Sequence, residues 1–470
     1  MKRLFIALAL AVWACTPNNP GGGGDAPLPP QPPPEEEEDP AVCIDAPLVV
    51  EVDPSATLGH EGLIQVFKAD GTLVDKIDLA DLEKVNVLED GTMVPNSQLT
   101  DDSEVHTFMD VLHSGSATRK VHYTPLRLQD GKLTVKLHDG VLAFGGSYYL
   151  TMDASVAGKA VGKDDMPFTV KARPSGNTLS VKADGSGDFC TLQAALNHAV
   201  GLGKDASVTV NLGEGTFPGL LYLRNKNNLT IRGAGAEKSR IAYPNSEKYA
   251  YGTSARCLFL VESCDNLVLE NLTVENTFFS ADHKGQAEAI YFNSNYKLTV
   301  ESCNFISWQD TFLCKGKVYV HNTLIAGHCD YIWGYPEACL FEDCEIRSRA
   351  GGYIVQARVP SSSNKGFVFL NCRLTAEEGV PASSVYLARS GGDDTKYDNV
   401  TYIGCSMGSF IRPEGWLGNP APTPSAPTAT SGWKEYGTTG VSTASRSAYG
   451  KLLSEAEAEK FSSRAAVLGW

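Results

Sequence analysis

Beyond Leu179 the apolar positions fall into short runs that recur along the chain: Val208 to Leu212, Leu229 to Ile231, Leu267 to Val274, Leu298 to Phe305, Val318 to Ile325, Leu340 to Ile346, Phe367 to Leu374 and Val400 to Met407. Several share the form apolar, polar, Asn or Cys, polar, apolar. Alternation of this kind marks strands, whose successive side chains point to opposite faces. Recurrence at a period of roughly 20 to 40 residues, with almost no helical pattern between the runs, predicts a stacked β-solenoid. Its open edges need covers. A short helix over Thr191 to Ala199 is expected at one end, and a helix opened by the capping box Ser454-Glu455-Ala456-Glu457 and running to about Arg464 at the other.

The pattern before Leu179 is different. Between about Val42 and Ala172, apolar runs such as Leu48 to Val52, Leu63 to Phe67, Val121 to Leu128, Leu133 to Leu137 and Tyr148 to Met152 are separated by turn residues. That spacing predicts a β-sandwich over 42–172. It holds no catalytic constellation and reads as a spacer or accessory binder, joined through a hinge at Arg173-Pro174-Ser175-Gly176-Asn177. Residues 16–41, rich in Gly, Pro and Glu, cannot bury enough apolar surface to order themselves and read as an extended tether. The apolar run from Leu4 to Trp13 follows Lys2 and Arg3 and is too short to span a bilayer, so residues 1–15 read as an export signal.

A formal charge of −15 and a sequence pI of about 5.1 exclude a general attraction for nucleic acid or anionic membrane. Any polyanionic substrate must be held locally. Twelve cysteines become eleven once Cys15 is set aside, an odd number that cannot pair completely within one chain. Five of them, Cys264, Cys303, Cys344, Cys372 and Cys405, recur in one local context and are expected to form an inward ladder, which is structure and not chemistry.

The chemistry-bearing residues follow two successive rungs. Trp308-Gln309-Asp310-Thr311-Phe312 comes after one, and Gly327-His328-Cys329-Asp330-Tyr331-Ile332-Trp333-Gly334 after the next. Asp310 and Asp330 are 20 residues apart, about one coil, which stacks them at the strand spacing of roughly 4.7 to 4.9 Å. Gln286 falls one rung below. A lone Asp after a rung is a turn residue; two in register cannot both ionise easily, so that one serves as acid and the other as nucleophile.

Asp184-Gly185-Ser186-Gly187-Asp188-Phe189 with Thr191 and Gln193, then Gln286-Ala287-x-Ala289, Gln309-Asp310-Thr311, Gly327-x-x-Asp330-Tyr331-Ile332-x-Gly334, Val385 to Arg389 and Pro413-x-Gly415-Trp416 resemble, in order, the motifs of the pectin methylesterases. The resemblance covers residues 179 to 465. It implies an all-β protein with a right-handed parallel β-helix over 178–470, and an esterase that hydrolyses methyl esters of polygalacturonate to pectate and methanol through an aspartyl acyl-enzyme. Asp330 would be the nucleophile and Asp310 the general acid, then base; Gln309 and Gln286 would stabilise the oxyanion, and Arg389 would hold Asp330 ionised. No metal or organic cofactor is needed on that reading. The 42–172 segment resembles bacterial immunoglobulin-like modules. Residues 1–15 resemble a lipoprotein signal, with Cys15 as the lipidated N-terminus, which implies a protein held in the cell envelope, in the periplasm or at the cell surface, with its lipid as the sole membrane contact; a monomer is expected. The aromatics Phe312, Tyr331, Trp333 and Tyr335 are candidates to stack on sugar rings.

The chain departs from the family pattern in three places. Ala388-Arg389-Ser390-Gly391 lacks the Trp expected at 391, the acidic residue usual after the Gly215 turn is missing, and Trp333 replaces a Phe. No G-x-S-x-G or H-E-x-x-H occurs, which disfavours a serine esterase and a zinc hydrolase. A pectate lyase or polygalacturonase on the same architecture and a non-catalytic glycan-binding surface lipoprotein remain as rivals, since fold alone does not assign reaction.

Overall fold

In the computed structural model each rung contributes short strands to three long parallel faces, here called A, B and C in the order the chain visits them. The structure describes residues 41–470 apart from 81–82, 88–92, 96–105, 124, 248–251 and 280–284; the signal, Cys15 and the tether up to residue 40 lie outside the described residues. Face A is an unbroken stack in register: Leu229, Leu267, Leu298, Val318, Cys339, Phe367, Val400 and Trp433 pair one above another. All are buried. The alternation seen in sequence is therefore the alternation of inside and outside, as in Lys297–Glu301, where Leu298 and Val300 point in. Each inward apolar side chain contributes roughly 1.5–3 kcal/mol relative to exposure, and the stack repeats that gain on every coil. Aromatic rings continue it upward, with Phe341 on Phe369 at 4.9 Å and Phe369 on Tyr402 at 4.5 Å between centroids.

The corner from face A to face B explains the polar residue embedded in each run. Asn271, Ser302, Asn322, Asp343, Asn371 and Gly404 all take positive φ between 48° and 62°. That left-handed step is tolerated by Gly and by short polar side chains. It turns the chain so that the next residue points inward: Leu272, Cys303, Thr323, Cys344, Cys372 and Cys405, all buried. Thr323 takes one cysteine's place, its hydroxyl donating to the His321 carbonyl at 2.8 Å. Cys264 does not belong to this ladder. It sits at the corner from face C to face A, one coil above the buried Lys226, each preceded by a positive-φ residue, Ser263 and Asn225.

The helix Leu192–Gly201 covers one end, with the Thr191 hydroxyl accepting from the Ala194 N–H. The capping box at Ser454 is present, but the expected single helix is divided into Glu455–Ala458, a 3-10 turn Glu459–Phe461 and Arg464–Leu468, and instead of covering the far end it lies along the outer side of face A, where Phe461, Val467 and Leu468 pack with Tyr319, Leu340, Val368 and Ile403. Ser463 interrupts it by capping the last segment, accepting from Ala466 N–H.

The N-terminal segment is antiparallel, with three small sheets among the described residues where a two-sheet sandwich is expected. The run Val121 to Leu128 is split at Pro125, which has no N–H for a ladder: Ala117–Tyr123 pairs with His106–Ser114 in one sheet, and Leu126–Gln129 with Lys132–Val135 in another. Far from being a detached spacer, the segment is bonded to the solenoid. Asp45 accepts from the Cys190 and Thr191 N–H groups at the start of the covering helix, and the Ser114 hydroxyl bonds both the N–H and the carbonyl of Arg224.

Candidate active site

The corner from face B to face C carries the two aspartates. Parallel bridges join Gln286 to Gln309 and Gln309 to Cys329, which sets Asp310 and Asp330 on adjacent rungs, with Asp310 N–H donating to the Cys329 carbonyl at 3.1 Å. Both take positive φ, 68° and 46°. The corner is tight: a Cβ on Gly327 would collide with Tyr331 Cβ and lie 2.6 Å from Thr311 Oγ1 and 2.8 Å from the Trp308 carbonyl, so only glycine fits.

The two carboxylates are both buried, at 2% exposure for Asp310 and 4% for Asp330, and their surroundings differ. Arg389 Nε donates to both oxygens of Asp330, at 2.8 Å to Oδ1 and 3.0 Å to Oδ2, and Arg389 Nη2 bonds Oδ2 as well. Gln356 Nε2 adds a third donor to Oδ2 at 3.0 Å. Charge-assisted bonds of this kind fix the carboxylate in one orientation. The Arg389 guanidinium, itself pushed upward by its hydrogen bonds to Asp330, lies 5.0 Å over the Tyr353 ring. Asp310 is pushed well above the usual carboxylate range, first by burial and then by Glu288 and Asp330, with Arg256 and Gln286 opposing. Gln286 Nε2 donates to its Oδ2 at 2.7 Å and Arg256 Nη2 at 3.2 Å, while no described hydrogen bond engages Oδ1.

Glutamines 286 and 309 are placed differently. Gln309 is half-buried, and its side-chain amide has no described hydrogen bond. Gln286 spends one N–H on Asp310 and accepts from Arg256 Nη1 at 2.6 Å, which leaves one donor for a substrate oxygen. Two of the aromatic candidates are corrected. Phe312 and Tyr331 are wholly buried, Phe312 packing edge-on to Phe305 and Phe341, and Tyr331 bonding Ser348 Oγ at 3.1 Å. Phe312 pairs with the inward Ile332, and Tyr331 turns inward directly after the corner at Asp330, while Trp333 is also nearly closed off, at 6% exposure, and Tyr335 is half-buried. Arg358 joins those two, 5.1 Å over the Trp333 ring and donating to Tyr335 Oη at 3.2 Å. Gly391 lies beside them, its ideal Cβ position 3.6 Å from Arg358 Nε and Gln356 Cδ.

Sequence reasoning missed Arg256, Glu288, Gln356 and Arg358. Arg256 ends a four-residue helix, Thr253–Arg256, and pairs with the fully buried Glu288 at 2.7 Å. One signal was available: Glu288 lies in the alanine-flanked Gln286-Ala287-Glu288-Ala289, and a buried carboxylate needs a cationic partner. As for metal-ligating groups, Cys43, Asp45 and Cys190 bring ligand atoms within 4.8 Å of one another, but Asp45 is already committed to the helix start.

A family description, Pectinesterase, matches residues 178–469. The chain belongs to the pectinesterase family. It is 30% identical over 250 residues to pectinesterase 31 of Arabidopsis thaliana, covering 51% of this chain and 76% of that one. Against probable pectinesterase A of Neosartorya fischeri it is 29% identical over 241 residues, 49% of this chain and 71% of the relative. The pectin methylesterase of Aspergillus niger superposes with a TM-score of 0.51 at 25% identity, over 63% of this chain and 95% of that one. The fold alone is shared with pectin methylesterase PemA of Erwinia chrysanthemi, at 21% identity and a TM-score of 0.52 over 64% and 98%. The enzyme is thus a carbohydrate esterase on a parallel β-helix, and the lyase, polygalacturonase and non-catalytic readings are not favoured.

Proposed function

We propose that the enzyme demethylates polygalacturonate with Asp330 as nucleophile and Asp310 as acid, then base. The contrast between the two carboxylates carries the reading: one is gripped and aimed by the hydrogen bonds of Arg389 and Gln356, the other is driven toward its protonated form by burial and two neighbouring carboxylates. Asp330 Oδ1, with fewer donors than Oδ2, attacks C6 of a methyl galacturonate. Gln309 and the spare N–H of Gln286 donate to the oxyanion as it forms. Asp310 then gives its proton to the departing methoxide, releasing methanol and leaving an acyl-enzyme anhydride on Asp330. Now a carboxylate, Asp310 takes a proton from water, the hydroxide attacks the same carbonyl, and the uronic acid leaves with Asp330 restored. Trp333, Tyr335 and Arg358 supply the wall on which a sugar lies.

The test is methanol release from methylated pectin. Loss of a covalent nucleophile costs several kcal/mol of transition-state stabilisation, so Asp330→Asn should fall below about a hundredth of the wild-type rate with its fold intact. A higher residual rate removes the nucleophile assignment. EDTA should leave the rate unchanged, and strong inhibition by it would favour a calcium-dependent lyase.

Residues 1–15 support a second proposal: the mature enzyme is a monomer anchored to the cell envelope through a lipid on Cys15, carried out from the membrane on the 16–41 tether. A single acyl chain binds membranes only marginally, so the anchor requires more than one. Cys15→Ser should shift the protein from the detergent phase to the aqueous phase; equal partitioning of the two forms ends the proposal.

A further inference from the structure

The hairpin formed by His106–Ser114 and Ala117–Tyr123 belongs to the N-terminal segment, yet it reaches face C of the solenoid and buries one cation there. Arg119 is 5% exposed. Its Nη1 donates to the carbonyls of Leu221 at 2.7 Å and Leu258 at 3.2 Å, and its Nη2 to those of Ala255 at 3.0 Å and of Cys257. Ala255 and Cys257 are the residues on either side of Arg256. No described carboxylate pairs with Arg119, so four peptide dipoles compensate a charge that is costly to bury. On the other side of the same short segment, Arg256 holds Glu288, Gln286 Oε1 and Asp310 Oδ2.

We infer that Arg119 is a positioning residue for the esterase reaction: by clamping the carbonyls that flank Arg256, the N-terminal hairpin fixes the guanidinium that orients Gln286 and the acid Asp310. This rests on the assignment of Asp310 as acid. A guanidinium suits the task because its planar fork reaches carbonyls on two successive coils at once, which a lysine ammonium does not. The helix it clamps, Thr253–Arg256, is only four residues long and has no side-chain cap bond. The N-terminal segment is then part of the catalytic apparatus, and removing it slows the acid step without touching substrate contacts.

The experiment compares Arg119→Met, Arg119→Lys and Ser114→Ala in the full chain, with Asp310→Asn alongside. Methionine keeps length and removes the donors. The solenoid keeps its ladder, because the Leu258 carbonyl still accepts from Leu221 N–H and those of Ala255 and Cys257 still accept from Asn245 Nδ2. Ser114→Ala loosens the same hairpin at Arg224, away from Arg256. The groups facing Asp310 are Glu288, Asp330, Cys329 and Arg256, with Glu247 beside Arg256 and Arg389 behind Asp330. With Arg256 loosened, Asp310 loses its opposing cation and binds its proton more tightly, so the alkaline limb of the kcat profile moves to higher pH. Arg119→Met should lower kcat about tenfold with KM within twofold and shift that limb, Arg119→Lys should recover part of both, and Ser114→Ala should change neither. Equal effects of Arg119→Met and Ser114→Ala, or an unshifted limb, overturn the inference while a dead Asp310→Asn enzyme leaves the acid assignment standing. A fully active Asp310→Asn enzyme removes the acid assignment and the inference with it.

Discussion

Two aspartates one coil apart have the same covalent chemistry, and their neighbours alone divide their labour. Asp310 illustrates the cost. Its acidity is weakened in the fold, so folding takes up a proton wherever the unfolded carboxyl is ionised and the folded one is not. Stability therefore falls as pH rises from the unfolded value, near 4, to the raised folded value, and levels off above it. Asp310→Asn should melt at a higher temperature than wild type at pH 7, and the difference should vanish below about pH 4. An unchanged or lower melting point at pH 7 would mean that Arg256 and Gln286 already outweigh the burial of the charge. Gly391 gives a second residue-scale prediction. Aromatic contacts contribute about 0.5–1.5 kcal/mol beyond buried area, so Gly391→Trp should tighten binding of plain methylated homogalacturonan several-fold, measured as KM, unless Arg358 already fills the place of the missing ring. Acetylated chains should lose by the same change, because an indole at 391 takes up space that an acetyl group would need.

The rungs were legible because each strand is half inside and half outside, and the two acids were legible because the coil length converts 20 residues into one step. What escaped depends on contacts between distant segments. Nothing local in His106 to Tyr123 says that the hairpin docks on face C, and nothing in Thr253–Arg256 marks Arg256 as the partner of a carboxylate 54 residues away. Grouping Cys264 with the other ladder cysteines followed local spelling where the three-cornered coil has two different corners that spell alike. Phe312 is two residues past Asp310 and Tyr331 one past Asp330, so no alternation counted from the acids could show that both turn inward. The tight corner makes its own prediction. Gly327→Ala forces a methyl group into Tyr331 and Thr311, and overpacking of this kind costs about 1–3 kcal/mol. A melting point lowered by several degrees together with a large loss of kcat is expected; a fall in stability alone would separate the corner from the chemistry.

Across the whole molecule each coil touches chiefly the coils above and below it, so stability is the sum of coil and neighbour terms and opening starts at the ends or at a weak junction. The eleven described cysteines are all free and ten of them are buried, and all but Cys43 lie along the solenoid segment, from Cys190 to Cys405. They amount to a set of silent chemical reporters. A thiol shut inside the solenoid reacts with an alkylating reagent only while its own coil is open, so a brief pulse of label followed by peptide mass analysis reads the order in which the coils come apart. Cys405 and Cys372, on the coils nearest the C-terminal end of the stack, should label before Cys303 and Cys344 under mild denaturant, and simultaneous labelling of all four would show that the solenoid opens as one unit.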